Sequence, residues 1–170
     1  MRSKTLKPEI NDIAFDMRVN KGILPTIEIS GHTFYVDIRM DKLRPKDDFL
    51  SKGIVFSEIS KYYDEKNEAY TIPYNPVTHE FQEPNYKNLS KFPDDLIAVK
   101  FPSEKLLDPI GFNRITGCDE SHGLADKKLN LKYTAELIPW DKTFMSDLLR
   151  KNVKEQDIFD KSTKGKGRKI

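Results

Sequence analysis

The stretch from Pro25 to Ile38, PTIEISGHTFYVDI, constrains the fold more than any other. Apolar and polar residues alternate on both sides of Gly31-His32, and a period of two is the pattern of a half-buried strand. With Gly31 and His32 as a two-residue turn, Ile29 opposes Phe34, Ile27 opposes Val36 and Pro25 opposes Ile38, all on one face. Glu28 and Tyr35 then fall on the other face. A slip of one residue would send every apolar side chain to the wrong side, so the pattern specifies an antiparallel hairpin. Glycine at the first turn position suits a type II′ turn. This register puts His32 at the turn tip and Asp37 five residues along the second strand, roughly 16 Å away at about 3.3 Å per residue. That distance is beyond hydrogen-bond or shared-metal reach. Asp37 is expected opposite Thr26 on the polar side, and His32 is an exposed residue that a partner can touch.

The flanking sequence fills in the architecture. In PEINDIAFDMRVN, residues 8–20, Ile10, Ile13, Ala14 and Met17 make one helical stripe, with Gly22 available to end it. YTIPYNPVTHEF reads as a second hairpin: Asn75-Pro76 suits a type I turn, and a four-residue loop sets Ile72 opposite Phe81. GIVFSEISKYY mixes strand-like Ile54 to Phe56 with helical spacing at Ile59, Tyr62 and Tyr63. DLIAVKFP is a short, nearly unbroken apolar run suited to a central strand buried on both faces. LNLKYTAEL alternates Leu129, Leu131, Tyr133, Ala135 and Leu137 against polar residues, as one half-buried strand that Pro139 ends. Asp141 then caps a helix with Phe144, Met145, Leu148 and Leu149 on its apolar stripe. The expected fold class is α+β: a mostly antiparallel sheet of about five or six strands built from hairpins, with a helix near each end. Residues 1–23 form an N-terminal arm or helix, 24–157 a single α+β domain and 158–170 a flexible basic tail.

Charge is distributed unevenly along the 170 residues. The net charge is +2, yet KSTKGKGRKI, residues 161–170, holds five cations and no acid. The remainder, with 24 basic against 27 acidic residues, is acidic. A local basic tail fits an interaction segment that reaches phosphates through Lys161, Lys164, Lys166, Arg168 and Lys169. Ten Phe, seven Tyr and one Trp argue for a packed core. A single cysteine, Cys118, excludes an internal disulfide and fits a reducing compartment. With no apolar run long enough to span a bilayer and no hydrophobic stretch behind MRSKTLKPEI, the chain reads as cytoplasmic, with no membrane partner.

Sites of familiar chemistry are sparse. The glycines of KGKGRK lack the strand and helix that flank a phosphate-binding loop. Zinc needs about four ligands, whereas the chain offers one Cys and three His. The close grouping is GCDESHG, residues 117–123, with Cys118, Asp119, Glu120 and His122. It reads either as a polar loop with an incidental thiol or as a metal or redox site. We therefore expect no metal and no cofactor. Tyr62, Tyr63, Tyr70, Tyr74 and Tyr86 are either packing residues or a platform for bases or sugars.

Three segments carry a resemblance. LPTIEISGHTFYVDIRMDKLRPKDD, YTIPYNP and FPSEKLLDPIGFNR resemble short uncharacterised proteins carried on conjugative and other mobile elements, or phages, of gut bacteria. The likeness covers about residues 24–150 and brings no catalytic residues with it. It implies an accessory role, exercised by binding nucleic acid, a host protein or an assembly. The expectation is a non-catalytic accessory protein whose tail contacts nucleic acid, and whose His32, Tyr62 and Tyr63 contact a protein partner. The alternatives are a structural component of a larger assembly such as a virion, and an enzyme using Cys118 and His122.

Overall fold

The computed structural model describes residues 12–124 and 129–167. The leading hairpin is present, with its turn one residue earlier than expected. Strands β1 (Thr26–Ile29) and β2 (His32–Asp37) pair with Ile27 opposite Phe34 and Ile29 opposite His32. Ser30 and Gly31 form the turn, both at positive φ (49° and 87°), as a type I′ turn requires. This changes the pairing by two residues and leaves the faces intact. Ile27, Ile29, Phe34 and Val36 are all fully buried. His32 thereby moves from the turn tip into the strand.

Strand β2 continues through a 3₁₀ turn at Ile38–Met40 into β3 (Lys42–Pro45), which pairs with β4 (Ile54–Val55). Asp37 lies on the outer face as expected but is buried there, accepting hydrogen bonds from Met40 N and Arg44 Nε, each at 3.2 Å. Its cross-strand partner is Lys42, and Thr26 faces Tyr35 instead. The ambiguous segment after Val55 forms two 3₁₀ turns, Phe56–Glu58 and Ser60–Tyr62, which lead into β5 (Tyr63–Asp64).

A second sheet runs β10–β8–β6–β5, from β6 (Ala69–Asn75), β8 (Ile97–Pro102) and β10 (Glu136–Ile138), with β7 (Glu80–Phe81) also on β6. Its hairpin places Tyr74, not Ile72, opposite Phe81. Asn75 Oδ1 accepts from Val77 N at 2.9 Å and Thr78 N at 3.3 Å, and His79 closes the loop at φ 58°. DLIAVKFP supplies the interior strand β8, as its apolar run suggests, but it is not buried on both faces: Lys100 is half-buried and lines an open groove.

LNLKYTAEL forms two strands where one was expected. β9 (Lys132–Thr134) joins the first sheet, parallel to β1, and β10 joins the second. The switch occurs at buried Ala135, whose N–H donates to Glu28 O at 2.8 Å. Leu137, past the switch, is 56% exposed. Two five-stranded sheets therefore stand where one sheet of five or six strands was expected. The α+β class and a helix near each end hold. One apolar cluster joins the sheets: Ile27, Phe34 and Leu43 from the first, Ile72, Val99 and Phe101 from the second.

Helix α1 (Asp12–Val19) presents a different face from the stripe expected. Ile13 is 76% exposed, Ile10 lies outside the described residues, and Ala14, Phe15 and Val19 pack with Ile110, Leu124 and Leu129. Arg18 turns that face inward. Its Nε and Nη2 reach Asp108 Oδ1 and Oδ2 at 3.0 and 2.9 Å, with both side chains nearly excluded from solvent. Asp108 joins α2 (Glu104–Leu107) to α3 (Pro109–Ile115) and caps α3 by accepting from Gly111 N at 3.1 Å.

The last helix, α4 (Met145–Gly167), starts later than expected. Asp141 lies in a 3₁₀ turn, Trp140–Lys142, and Thr143 Oγ1 accepts from Met145 N at 3.1 Å. Phe144 consequently stands outside the helix and is 49% exposed, while Met145 is fully buried. The boundary drawn at residue 158 falls inside α4, which runs on through the basic segment to Gly167.

Candidate binding groove

Register assembles the floor of a groove on the second sheet. Thr71 pairs with Lys100 and Lys100 with Glu136, so three strands put these side chains side by side on one face. Tyr63 and Asp64 of β5 bound the groove on one side, and Leu137, Ile138 and Pro139 on the other. Lys61 and Tyr62, set by their 3₁₀ turn, meet Tyr86, Lys142 and Phe144 at the wall. The space is about 950 Å³ and opens to solvent.

The wall is an aromatic cluster with a polar clasp. Tyr62 stands edge-to-face on Phe81, centroids 5.6 Å apart, and Tyr86 edge-to-face on Phe144 at 5.7 Å. The Tyr62 hydroxyl donates to Glu83 Oε2 at 2.6 Å and shares a short hydrogen bond with the Tyr86 hydroxyl. Lys61 Nζ lies 2.5 Å from the same carboxylate oxygen. Asn152 of α4 donates to Tyr86 O and Leu89 O, at 2.7 and 2.9 Å, which ties the last helix to this wall.

These contacts set the protonation of the clasp. Burial pushes the Tyr62 hydroxyl far above the ordinary tyrosine range, and its bonds to Glu83 and Tyr86 add to the effect. Burial also raises Tyr86. For Glu83, burial acts upward, but hydrogen bonds from Lys61 and Tyr62 outweigh it and hold the carboxyl below its usual range. At the groove's β5 edge, the side-chain hydrogen bond from Asn67 chiefly lowers Asp64 against some opposition from burial, with help from the backbone N–H groups of Asn67 and Lys66 and from Lys100. The tyrosines are therefore neutral donors presenting flat apolar faces beside lysines and carboxylates. That mixture suits recognition of a partner with aromatic or apolar groups and alternating charge.

The structure brings Tyr62 and Tyr63 together here and leaves His32 elsewhere. His32 is half-buried and stacked on His79, centroids 3.8 Å apart and planes 11° apart. His79 Nδ1 lies 2.7 Å from Asp48 Oδ2. That hydrogen bond, with some opposition from burial, lowers the Asp48 pKa. Of the tail cations, Lys161 is exposed on α4, and Lys164 and Lys166 fall within the helical backbone. Arg168 and Lys169 lie outside the described residues.

Cys118 and His122, both exposed, line a separate cavity of about 510 Å³ with Asn113, Thr116 and Tyr133. Asn113 Nδ2 donates to Glu120 O and His122 O, each at 3.0 Å, and so folds the 118–122 loop back on α3. Thr116 Oγ1 is 3.7 Å from Cys118 Sγ. Among the described residues, no three His, Cys, Asp or Glu side chains are arranged to hold a metal ion.

Sequence reasoning named Tyr62, Tyr63 and Tyr86 but missed Thr71, Lys100, Glu136 and Phe144. The first three share a face only through strand pairing across 65 residues of sequence, a separation at which no periodicity operates. No protein-family model matches the chain, and no curated protein or solved structure is significantly similar to it. No helix among the described residues is long and apolar enough to cross a membrane.

Proposed function

We propose that this chain is a non-catalytic accessory protein of a mobile element or phage that works by binding. The groove beside Tyr62 and Tyr63 takes a protein partner, and the basic C-terminal segment takes nucleic acid. One observation carries the reading: α4 begins at the groove wall, next to Phe144, and leads directly into the cations at 161, 164 and 166. A partner in the groove and a nucleic acid on the helix would thus be held by one continuous element. The resemblance to mobile-element proteins supports the same role and a cytoplasmic setting.

The test is affinity purification of the full chain from its native cell, with and without nuclease. A protein that copurifies with the wild type and is lost with Tyr63→Ala supports the groove. Loss of bound nucleic acid in Lys161→Glu/Lys164→Glu/Lys166→Glu supports the C-terminal segment. Retention in both variants overturns the reading. Light scattering after size exclusion addresses a virion or other assembly role, against which a lone monomer counts.

The shared cavity of Cys118 and His122 favours a second reading, a thiol nucleophile with an imidazole base. In that case iodoacetamide alkylates Cys118 faster than a free cysteine in a short unstructured peptide at the same pH. His122→Ala then slows the reaction severalfold, and equal rates exclude the pair.

A further inference from the structure

The outer face of the first sheet holds a second set of cations, separate from the groove and the C-terminal segment. On β3, Leu43 and Pro45 are buried, so Lys42, Arg44 and, just past the strand, Lys46 share the opposite face. Tyr35 is the cross-strand partner of Arg44, whose guanidinium carbon lies 4.8 Å over its ring. The row continues through Thr26 to Lys132 on β9. Neither Lys42 nor Lys46 has an ion-pair partner among the described residues. The following loop closes over these groups to leave a cavity of about 310 Å³, lined also by Asp47, Asp48, Phe49 and Ser51.

Four acidic residues lie on or near this face, and two of them are engaged. Asp37 is committed to Arg44 at 3.2 Å and Asp48 to His79 at 2.7 Å. Glu28 lies on the same face two strands away, and Asp47 sits on the loop at φ 60°. The loop is anchored beneath by Ser51 Oγ, which donates to His79 O at 3.1 Å. Above that anchor Phe49 is 94% exposed. A rigid base thus holds a bare aromatic ring beside free lysines.

We propose that this face binds single-stranded nucleic acid, with Lys42 and Lys46 on phosphates and the Tyr35–Arg44 stack and Phe49 against bases. Lys42 and Lys46, four positions apart, stand about 13 Å from each other at about 3.3 Å per residue, close to two phosphate steps of an extended strand, with Arg44 between them. The guanidinium-on-ring stack and the exposed phenyl supply flat surfaces on which unpaired bases of any sequence rest. A duplex withholds its base faces, and an anionic membrane needs the charge without the rings. The inference rests on the nucleic-acid part of the reading above but gives it a site independent of the C-terminal lysines.

Fluorescence anisotropy with labelled dT15 decides it on the full-length chain, with thermal melts to verify folding. Four chains are compared: wild type, Lys42→Glu/Lys46→Glu, Phe49→Ala, and Lys161→Glu/Lys164→Glu/Lys166→Glu. The Lys42/Lys46 variant should bind at least about tenfold more weakly, and its slope of log K against log salt should fall by roughly 1.4, two contacts at about 0.7 each. Phe49→Ala, at an exposed position, should weaken dT15 about fivefold while leaving heparin binding unchanged. Wild-type affinity in the Lys42/Lys46 variant overturns the proposal. So does equal loss of dT15 and heparin in Phe49→Ala, or anionic vesicles competing as well as dT15. If only the C-terminal variant loses binding, the tail reading stands and this one falls. If only the sheet variants lose it, the reverse holds. A wild-type chain that does not bind dT15 overturns both.

Discussion

Asp108 is the residue on which the most structure converges. It accepts both guanidinium bonds of Arg18, from a helix 90 residues away in sequence, and caps α3 through Gly111 N. Removing one partner of such a buried pair strands the other charge, which costs about 3–5 kcal/mol. Asp108→Ala should lower stability by that amount in urea unfolding, and Arg18→Met should be milder because it leaves a capped carboxylate. Gly111 shares the constraint. A Cβ there would lie 2.2 Å from Asp108 Oδ2, so Gly111→Ala must push the carboxylate out of place. In an Asp108→Ala background the same substitution should cost little. That non-additivity in a double-mutant cycle distinguishes the carboxylate contact from general helix packing. Neither Arg18 nor Asp108 stood out in sequence, because each is one of many charges and only the fold buries them together.

At the scale of elements, the first hairpin shows how far local pattern reaches. Alternation identified both strands and their buried faces, because face parity depends only on position along each strand. It did not identify the turn, since Ser30-Gly31 and Gly31-His32 both leave Ile27 and Phe34 inward. The type I′ turn prevailed, placing Gly31 at its second central position and straining Ser30, a non-glycine residue at φ 49°. Ser30→Asn, which makes the preferred Asn-Gly turn, should stabilise the protein by about 0.5–1 kcal/mol, visible as a higher Tm. A turn at Gly31-His32 predicts no gain. LNLKYTAEL teaches the complementary lesson. Its alternation is the same whether the strand stays in one sheet or changes partners at Ala135, so only the pairing with Glu28 and Val99 reveals two strands.

Taken whole, the molecule should lose stability at both ends of the pH range. Asp48, Asp64 and Glu83 have folded-state pKa values below their ordinary ones. Their contributions are complete above about pH 4.5 and disappear as the pH falls through the folded-state values. Denaturation midpoints should therefore drop in acid, and Glu83→Gln should flatten that drop. Tyr62, Tyr70 and Tyr74 are raised instead, chiefly by burial. The unfolded chain releases these protons near pH 10 while the folded chain keeps them, so stability falls as the pH rises past 10. Ultraviolet titration should show these tyrosines ionising together with unfolding; earlier ionisation would mean that the core admits water. The sequence by itself determined the α+β class, the buried faces of the first hairpin's strands, the interior position of β8 and the basic segment at the C-terminus, because each depends on local periodicity or composition. The tertiary structure alone decided that two sheets share one core, that Thr71, Lys100 and Glu136 form one floor, that Arg18 meets Asp108, and that His32 stacks on His79. Those are contacts between distant segments, and their partners are chosen by packing and hydrogen bonding in three dimensions.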